Sequence, residues 1–98
     1  MATFTIVADP KVKSDLQAAR DFLNSKRKGY GTLFLAEYRK ALKTLEKNPF
    51  FEIRYQNIRC LPLNKFKYMI HFKVEEDQKS ILVYAVLSTH LDPQSHWL

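Results

Sequence analysis

The chain has 98 residues, 46% of them hydrophobic, with 16 basic against 10 acidic side chains, a net charge of +6 and a pI near 9.6. That length fits one domain with a single modest core, and the composition excludes a disordered chain. No apolar run approaches the ~20 residues of a membrane-spanning helix, the N-terminus lacks the pattern of a secretory leader, and the basic balance favours an acidic or polyanionic partner; the expectation is a cytoplasmic protein that does not engage a membrane.

Residues 3–8 (Thr-Phe-Thr-Ile-Val-Ala) are rich in β-branched and aromatic types and read as a first strand. Asp9-Pro10 then supplies an N-cap residue and a proline suited to the first helical turn. Val12, Leu16, Ala19 and Leu23 recur at helical spacing, with Phe22 broadening the stripe, which predicts a helix to about Asn24 or Ser25. The connection Ser25 to Gly31 holds two glycines and three consecutive basic residues, Lys26, Arg27 and Lys28. Gly29 is the candidate for a left-handed position there. From about Thr32, Phe34 or Leu35, Tyr38, Leu42 and Leu45, with Ala41 beside them, predict a second helix that Asn48-Pro49 ends. So short a connection implies an antiparallel helical hairpin.

Beyond Phe50-Phe51 the pattern turns to strands. Glu52 to Leu61 reads as one strand of imperfect alternation, and Pro62 must end it or lie where no ladder donor is needed. Leu63-Asn64-Lys65 makes a turn. Phe66 to Val74 then alternates without a break: Phe66, Tyr68, Ile70, Phe72 and Val74 on one face, Lys67, Met69, His71 and Lys73 on the other. Glu76 to Lys79 is a polar hairpin loop. Ser80 to Ser88 is apolar on both faces and reads as an interior strand. The tail from Thr89 is polar and closes on Trp97, an anchor by its size. These elements predict an α+β fold of order β-α-α-β-β-β: an N-terminal strand, then a helical hairpin packed on one face of a mainly antiparallel sheet.

The aromatic face of the Phe66 to Val74 strand is expected under the helices. The opposite face would then be open, presenting Lys67, His71 and Lys73 with Arg59 alongside. Lysines neutralise phosphate and histidine moves protons near neutral pH, so this face is the candidate site. An ordinary solvated strand face guarded by lysine against aggregation accounts for the same residues. His90 and His96 lie in the tail, where His90 is a candidate general base. There is no glycine-rich phosphate loop and no zinc spacing, so neither cofactor nor metal is expected. Cys60 is the only cysteine, which excludes an internal disulfide, and its apolar context fits a buried structural thiol.

The chain resembles the RelE/ParE toxins of prokaryotic type II toxin–antitoxin systems. The resemblance rests on Asp15-Leu16, Phe22-Leu23, Gly31, Phe34, Ala41-Leu42, Leu45 and Asn48-Pro49, then Tyr55, Ile58-Arg59, Pro62-Leu63, Phe66, Tyr68, Ile70-His71-Phe72, Ala85-Val86, Asp92-Pro93 and Trp97. It covers nearly the whole chain and implies a growth-inhibiting toxin held by a cognate antitoxin, a small acidic protein. ParE-like inhibition of DNA gyrase is the preferred action that it implies. The alternatives are ribosome-dependent cleavage of messenger RNA, with Arg59, Lys67, His71 and His90 as the catalytic set, and a non-toxic relative that only binds antitoxin. Arg59, Lys65, Lys67 and Lys73 are the residues it implies for target or nucleic-acid binding. Ser88 and Leu91 stand where many relatives carry histidine and arginine, and His90 is displaced by two residues.

Overall fold

A computed structural model describes residues 3–63 and 65–89. The elements are β1 (Thr5–Ala8), α1 (Lys11–Lys26), α2 (Tyr30–Lys47), β2 (Ile53–Tyr55), β3 (Ile58–Leu63), β4 (Tyr68–Glu75) and β5 (Ser80–Ser88). They form one five-stranded sheet in the order β1-β5-β4-β3-β2. β1 runs parallel to β5 and every other pair is antiparallel. This is the expected helical hairpin on a mainly antiparallel sheet.

The start of α1 follows from Asp9-Pro10. The Asp9 carboxylate accepts the Lys11 N–H at 2.9 Å and its carbonyl accepts the Val12 N–H at 2.9 Å, which satisfies two donors that a helix leaves open. Gly29, at φ 81, makes the left-handed step into α2. The Asn24 side-chain oxygen accepts the Gly31 N–H at 2.8 Å and ties the two helices at their junction. Gly31 is where they come closest. A Cβ placed there would lie 2.5 Å from the Arg20 carbonyl oxygen and 2.7 Å from Arg20 Cγ, so the crossing tolerates no side chain.

The core lies between this hairpin and the sheet. Val12, Ala19 and Leu23 of α1 and Phe34, Tyr38, Ala41 and Leu45 of α2 are buried against Tyr68, Ile70, Phe72, Ile81, Val83 and Val86. Phe34 sits at its centre, edge-on to Phe66 at 5.5 Å and tilted against Tyr68 at 5.1 Å. Phe22 does not broaden the buried stripe; it is 49% exposed.

Two segments depart from the sequence reading. Glu52 to Leu61 is not one strand, because Gln56 and Asn57 both have positive φ (43° and 67°) and fold it into the tight β2–β3 hairpin. Two consecutive left-handed residues give the turn twist that a hairpin accepts, and asparagine tolerates that region better than most side chains. The alternation of 66–74 also overstates its strand. The Phe66 and Lys67 N–H groups both donate to the Leu63 carbonyl at 3.0 Å, and Lys67 has φ 60, so both belong to a turn. Phe66 reaches the core from that turn. Pro62 does lie where no donor is needed: it faces Met69 of β4, while β2 pairs β3 only at Ile58 and Arg59.

Replacing Gly31 by alanine forces Arg20 or the helix backbone to move. The expected cost is about 1–3 kcal/mol, the usual range for overpacking. Thermal unfolding followed by circular dichroism should show a Tm lower by roughly 5–15 °C for a domain of this size.

Candidate functional site

The open basic face expected on β4 is not assembled. His71 is fully buried, and Ile58, Cys60, Met69 and Ala85 are buried as well. Lys67 leaves the strand at the left-handed turn, where its carbonyl accepts both the N–H (2.8 Å) and the hydroxyl (2.9 Å) of Thr89. Lys73 alone of the expected trio remains on that face near water. Its ammonium is 3.9 Å from the Glu75 carboxylate, and both side chains are nearly half exposed, so the pair contributes little.

Arg59 lies on the other side of the sheet from His71. It stands opposite Phe72, a helix-side core residue, whereas Cys60 stands opposite His71. One arm of its guanidinium donates to the Phe51 carbonyl at 2.7 Å, and the group lies 5.4 Å from the Phe50 ring centre. This cation therefore pins the segment that enters β2. Lys65 is exposed in the β3–β4 turn, and its carbonyl accepts the Tyr30 hydroxyl at 3.4 Å. Ser88 faces Tyr68 across the β4–β5 ladder. His90 and Leu91 fall outside the described residues. Arg59, Lys67 and His71 are thus held apart by strand alternation and by a turn, two features that a linear pattern of charges does not reveal.

What the second face of the sheet holds instead is a buried polar cluster. The Tyr55 hydroxyl and His71 Nδ1 share a hydrogen bond of 3.0 Å, and Cys60 Sγ lies 3.5 Å from the same nitrogen. Burial pushes the Cys60 thiol up to about 11, against the opposing pull of the Arg54 guanidinium. The Tyr55 phenol is also raised, first by burial and then by Cys60 and Tyr84. A thiol so placed stays protonated and unreactive at neutral pH. The cluster therefore fastens the β2 hairpin to the middle of the sheet. Tyr55 was legible only as an aromatic in a strand, because the turn that swings it over His71 carries no glycine. Among the described residues no group of three His, Cys, Asp or Glu side chains could hold a metal ion, and no helix is long and apolar enough to cross a membrane.

A groove of about 480 Å³ lies between α1 and the far end of β5. Ala18, Ala19 and Phe22 form its helix wall, and Tyr68, Val86 and Leu87 its floor. Two local features create it. Small side chains at 18 and 19 hold the helix surface back, and β1 stops at Ala8 opposite Val83. Beyond Val83 the β5 edge therefore has no β1 neighbour. Asp15 closes one end, its carboxylate accepting the Val86 N–H at 3.0 Å. Lys26 holds its ammonium 5.2 Å from the ring centre of Phe22, which lines the groove. The sequence signal for this groove was Phe22, an apolar residue too far off the α1 stripe to be core.

No protein-family model and no curated protein matches the sequence. Solved structures do match. A chain of the chromosomal ParDE toxin–antitoxin system from P. aeruginosa superposes with a TM-score of 0.75 at 16% identity, covering 89% of this chain and 97% of that one. The isolated E. coli RelE toxin gives 0.67 at 11% identity, covering 95% and 92%. A doubly substituted E. coli RelE toxin in the free state gives 0.65 at 15%, covering 99% and 94%. The chain has the RelE/ParE toxin fold.

Cys60 should resist iodoacetamide in the native protein at pH 8 and alkylate fully in urea, as read by mass spectrometry. Its raised pKa also fixes a sign. Between the ordinary thiol value of 9.0 and about 11 the folded chain holds a proton that the unfolded chain has released. That stability is complete below pH 9 and is lost as pH rises toward 11. The urea midpoint should fall over that window, and fall less in Cys60→Ala. Tyr55→Phe should cost about 1 kcal/mol by the same measurement, the usual worth of one such hydrogen bond.

Proposed function

We propose that this chain is the toxin of a type II toxin–antitoxin pair and that it arrests growth by occupying an essential target, DNA gyrase before any other, rather than by cutting RNA. The fold supports the first half. The position of Arg59 carries the second. The nuclease reading uses Arg59 and Lys67 with His71 or His90, yet the Arg59 guanidinium is bound to the Phe51 carbonyl on the helix side of the sheet and His71 is buried from the other side. Proton transfer requires hydrogen-bond reach, and Arg59 and His71 do not share a space.

The groove is the proposed antitoxin seat. Its apolar wall and floor suit the apolar stripe of a partner helix, the β5 edge past Val83 suits an added strand, and Lys26 at the rim suits an acidic chain. Antitoxins of this kind are small acidic proteins, which matches a host of net charge +6.

Induced expression in a bacterial host should stop growth, and co-expression of the acidic protein encoded beside it should restore growth. Purified chain should inhibit gyrase supercoiling while messages in a translating extract stay intact. Cleaved messages with unaffected supercoiling would replace this reading with the nuclease one. Normal growth with folded protein would leave an antitoxin-binding relative without toxicity. Ala18→Glu narrows the groove and adds a charge, and should weaken antitoxin binding by at least roughly tenfold in calorimetry, about 1.4 kcal/mol.

A further inference from the structure

The sheet has two edges, and β2 forms one of them; among the described residues no strand lies beyond it. Edges are commonly guarded by lysine or proline. The outer stretch here, Glu52-Ile53-Arg54-Tyr55, holds neither. Its guards are the shortness of β2 and the irregular register after Ile53, which limit a contact without closing the edge. Ile53 is 49% and Phe50 50% exposed. The two are neighbours, because Ile53 stands opposite Arg59, whose guanidinium lies 5.4 Å from the Phe50 ring centre.

The charges flank that residue symmetrically. Side chains alternate along a strand, so Ile53 shares the helix side with Arg59, while Glu52 and Arg54 project from the other. Both are exposed. An antiparallel pairing of this edge with its own copy, with the two-fold axis at Ile53, sets Ile53 against Ile53. It also sets Glu52 of each chain against Arg54 of the other. A slip of one residue would place Ile53 against a charge, so one register satisfies both the apolar and the ionic contact. β1, at the other edge, reads Thr5-Ile6-Val7-Ala8 and has no charge with which to fix a register.

We infer that the Glu52 to Tyr55 edge is a self-association surface, on which a second copy of this chain pairs antiparallel about Ile53 with Glu52 and Arg54 crossed between the copies. The inference does not rest on the toxin reading. A second copy is favoured over a foreign strand because the edge is complementary to itself: each chain supplies one member of two identical ion pairs, as an isologous contact requires. The contact is small. One short strand a side with Phe50 beside it falls below the ~800 Å² per partner of a standard interface, so the dimer has a dissociation constant between about 10 µM and 1 mM. It leaves the α1–β5 groove open, because β5 and β2 lie on opposite sides of the sheet.

Sedimentation velocity of the full chain from about 10 µM to 1 mM tests this. The sedimentation coefficient should rise with concentration toward that of a dimer. Ile53→Lys, at an exposed position, should raise the dissociation constant at least roughly tenfold, because the axis makes each substitution count twice. Glu52→Arg and Arg54→Glu each set like charges across the axis, and each alone should stay monomeric over that range. An equimolar mixture of these two variants should associate again, since each then supplies the charges that the other lacks. Misfolding of either variant cannot produce that restoration. Val7→Lys, on the β1 edge, should leave the dissociation constant within roughly twofold. Loss of association in that variant would overturn the inference in favour of the β1 edge. Dimers that persist in Ile53→Lys would overturn it in favour of another surface, and a mixture that stays monomeric would overturn the two-fold pairing. A chain that remains monomeric up to about 1 mM would overturn it outright.

Discussion

Burial of β4 on both faces is the constraint on which the rest depends. Tyr68, Met69, Ile70, His71 and Phe72 are consecutive and all buried. A strand buried on one side only would leave Met69 and His71 in water. Tyr68, Ile70 and Phe72 demand a cover, and the helical hairpin supplies it through Phe34 and Leu45. The hairpin can lie flat there because Gly31 lets its two helices approach over Arg20. On the other face a histidine at the centre of the sheet must be hydrogen-bonded to be buried. Tyr55 meets that need, and it is in place because Gln56 and Asn57 turn the chain back. A pair of left-handed residues at the sheet edge and a buried imidazole at its centre thus belong to one arrangement.

The same constraint explains where recognition can occur. With Tyr68 to Phe72 of β4 buried on both faces, recognition falls more readily on edges, helix faces and loops. The β5 edge is free past Val83 because β1 is four residues long and ends there. A longer first strand would have covered the groove that Ala18, Ala19 and Phe22 now line. Asp15 deals with one consequence of the short strand, taking up the Val86 N–H that a longer β1 would have paired. The exposed Phe22 ring and the satisfied Val86 amide fit an edge that is kept open yet protected.

Much of this was legible in the residues. Helical spacing of Val12, Ala19 and Leu23, the Asp9-Pro10 start, Gly29 and the apolar run of β5 each state their role locally, so the element order and the helix-covered face follow from pattern. Three things did not. The β2–β3 hairpin turns on Gln56-Asn57, which lacks the glycine that marks most such turns. Lys67 continues the alternation of β4 in sequence yet sits at φ 60, because the Leu63 carbonyl captures its N–H. Arg59 looks like a partner for His71 until the register sets it opposite Phe72. Each failure concerns long-range pairing or a single backbone angle, and the candidate site depended on both.

The charge of the chain is redistributed as a result. The sheet face expected to hold it keeps Lys73 near water beside Glu75, and brings the exposed Arg54 near Cys60. The surplus lies instead on the exposed side of α2, in the helix connection and in the β3–β4 turn, which meet where Tyr30 packs on Phe66. The basic connection meets the groove at Lys26, whose ammonium lies 5.2 Å from the Phe22 ring centre while its position in the chain begins that connection.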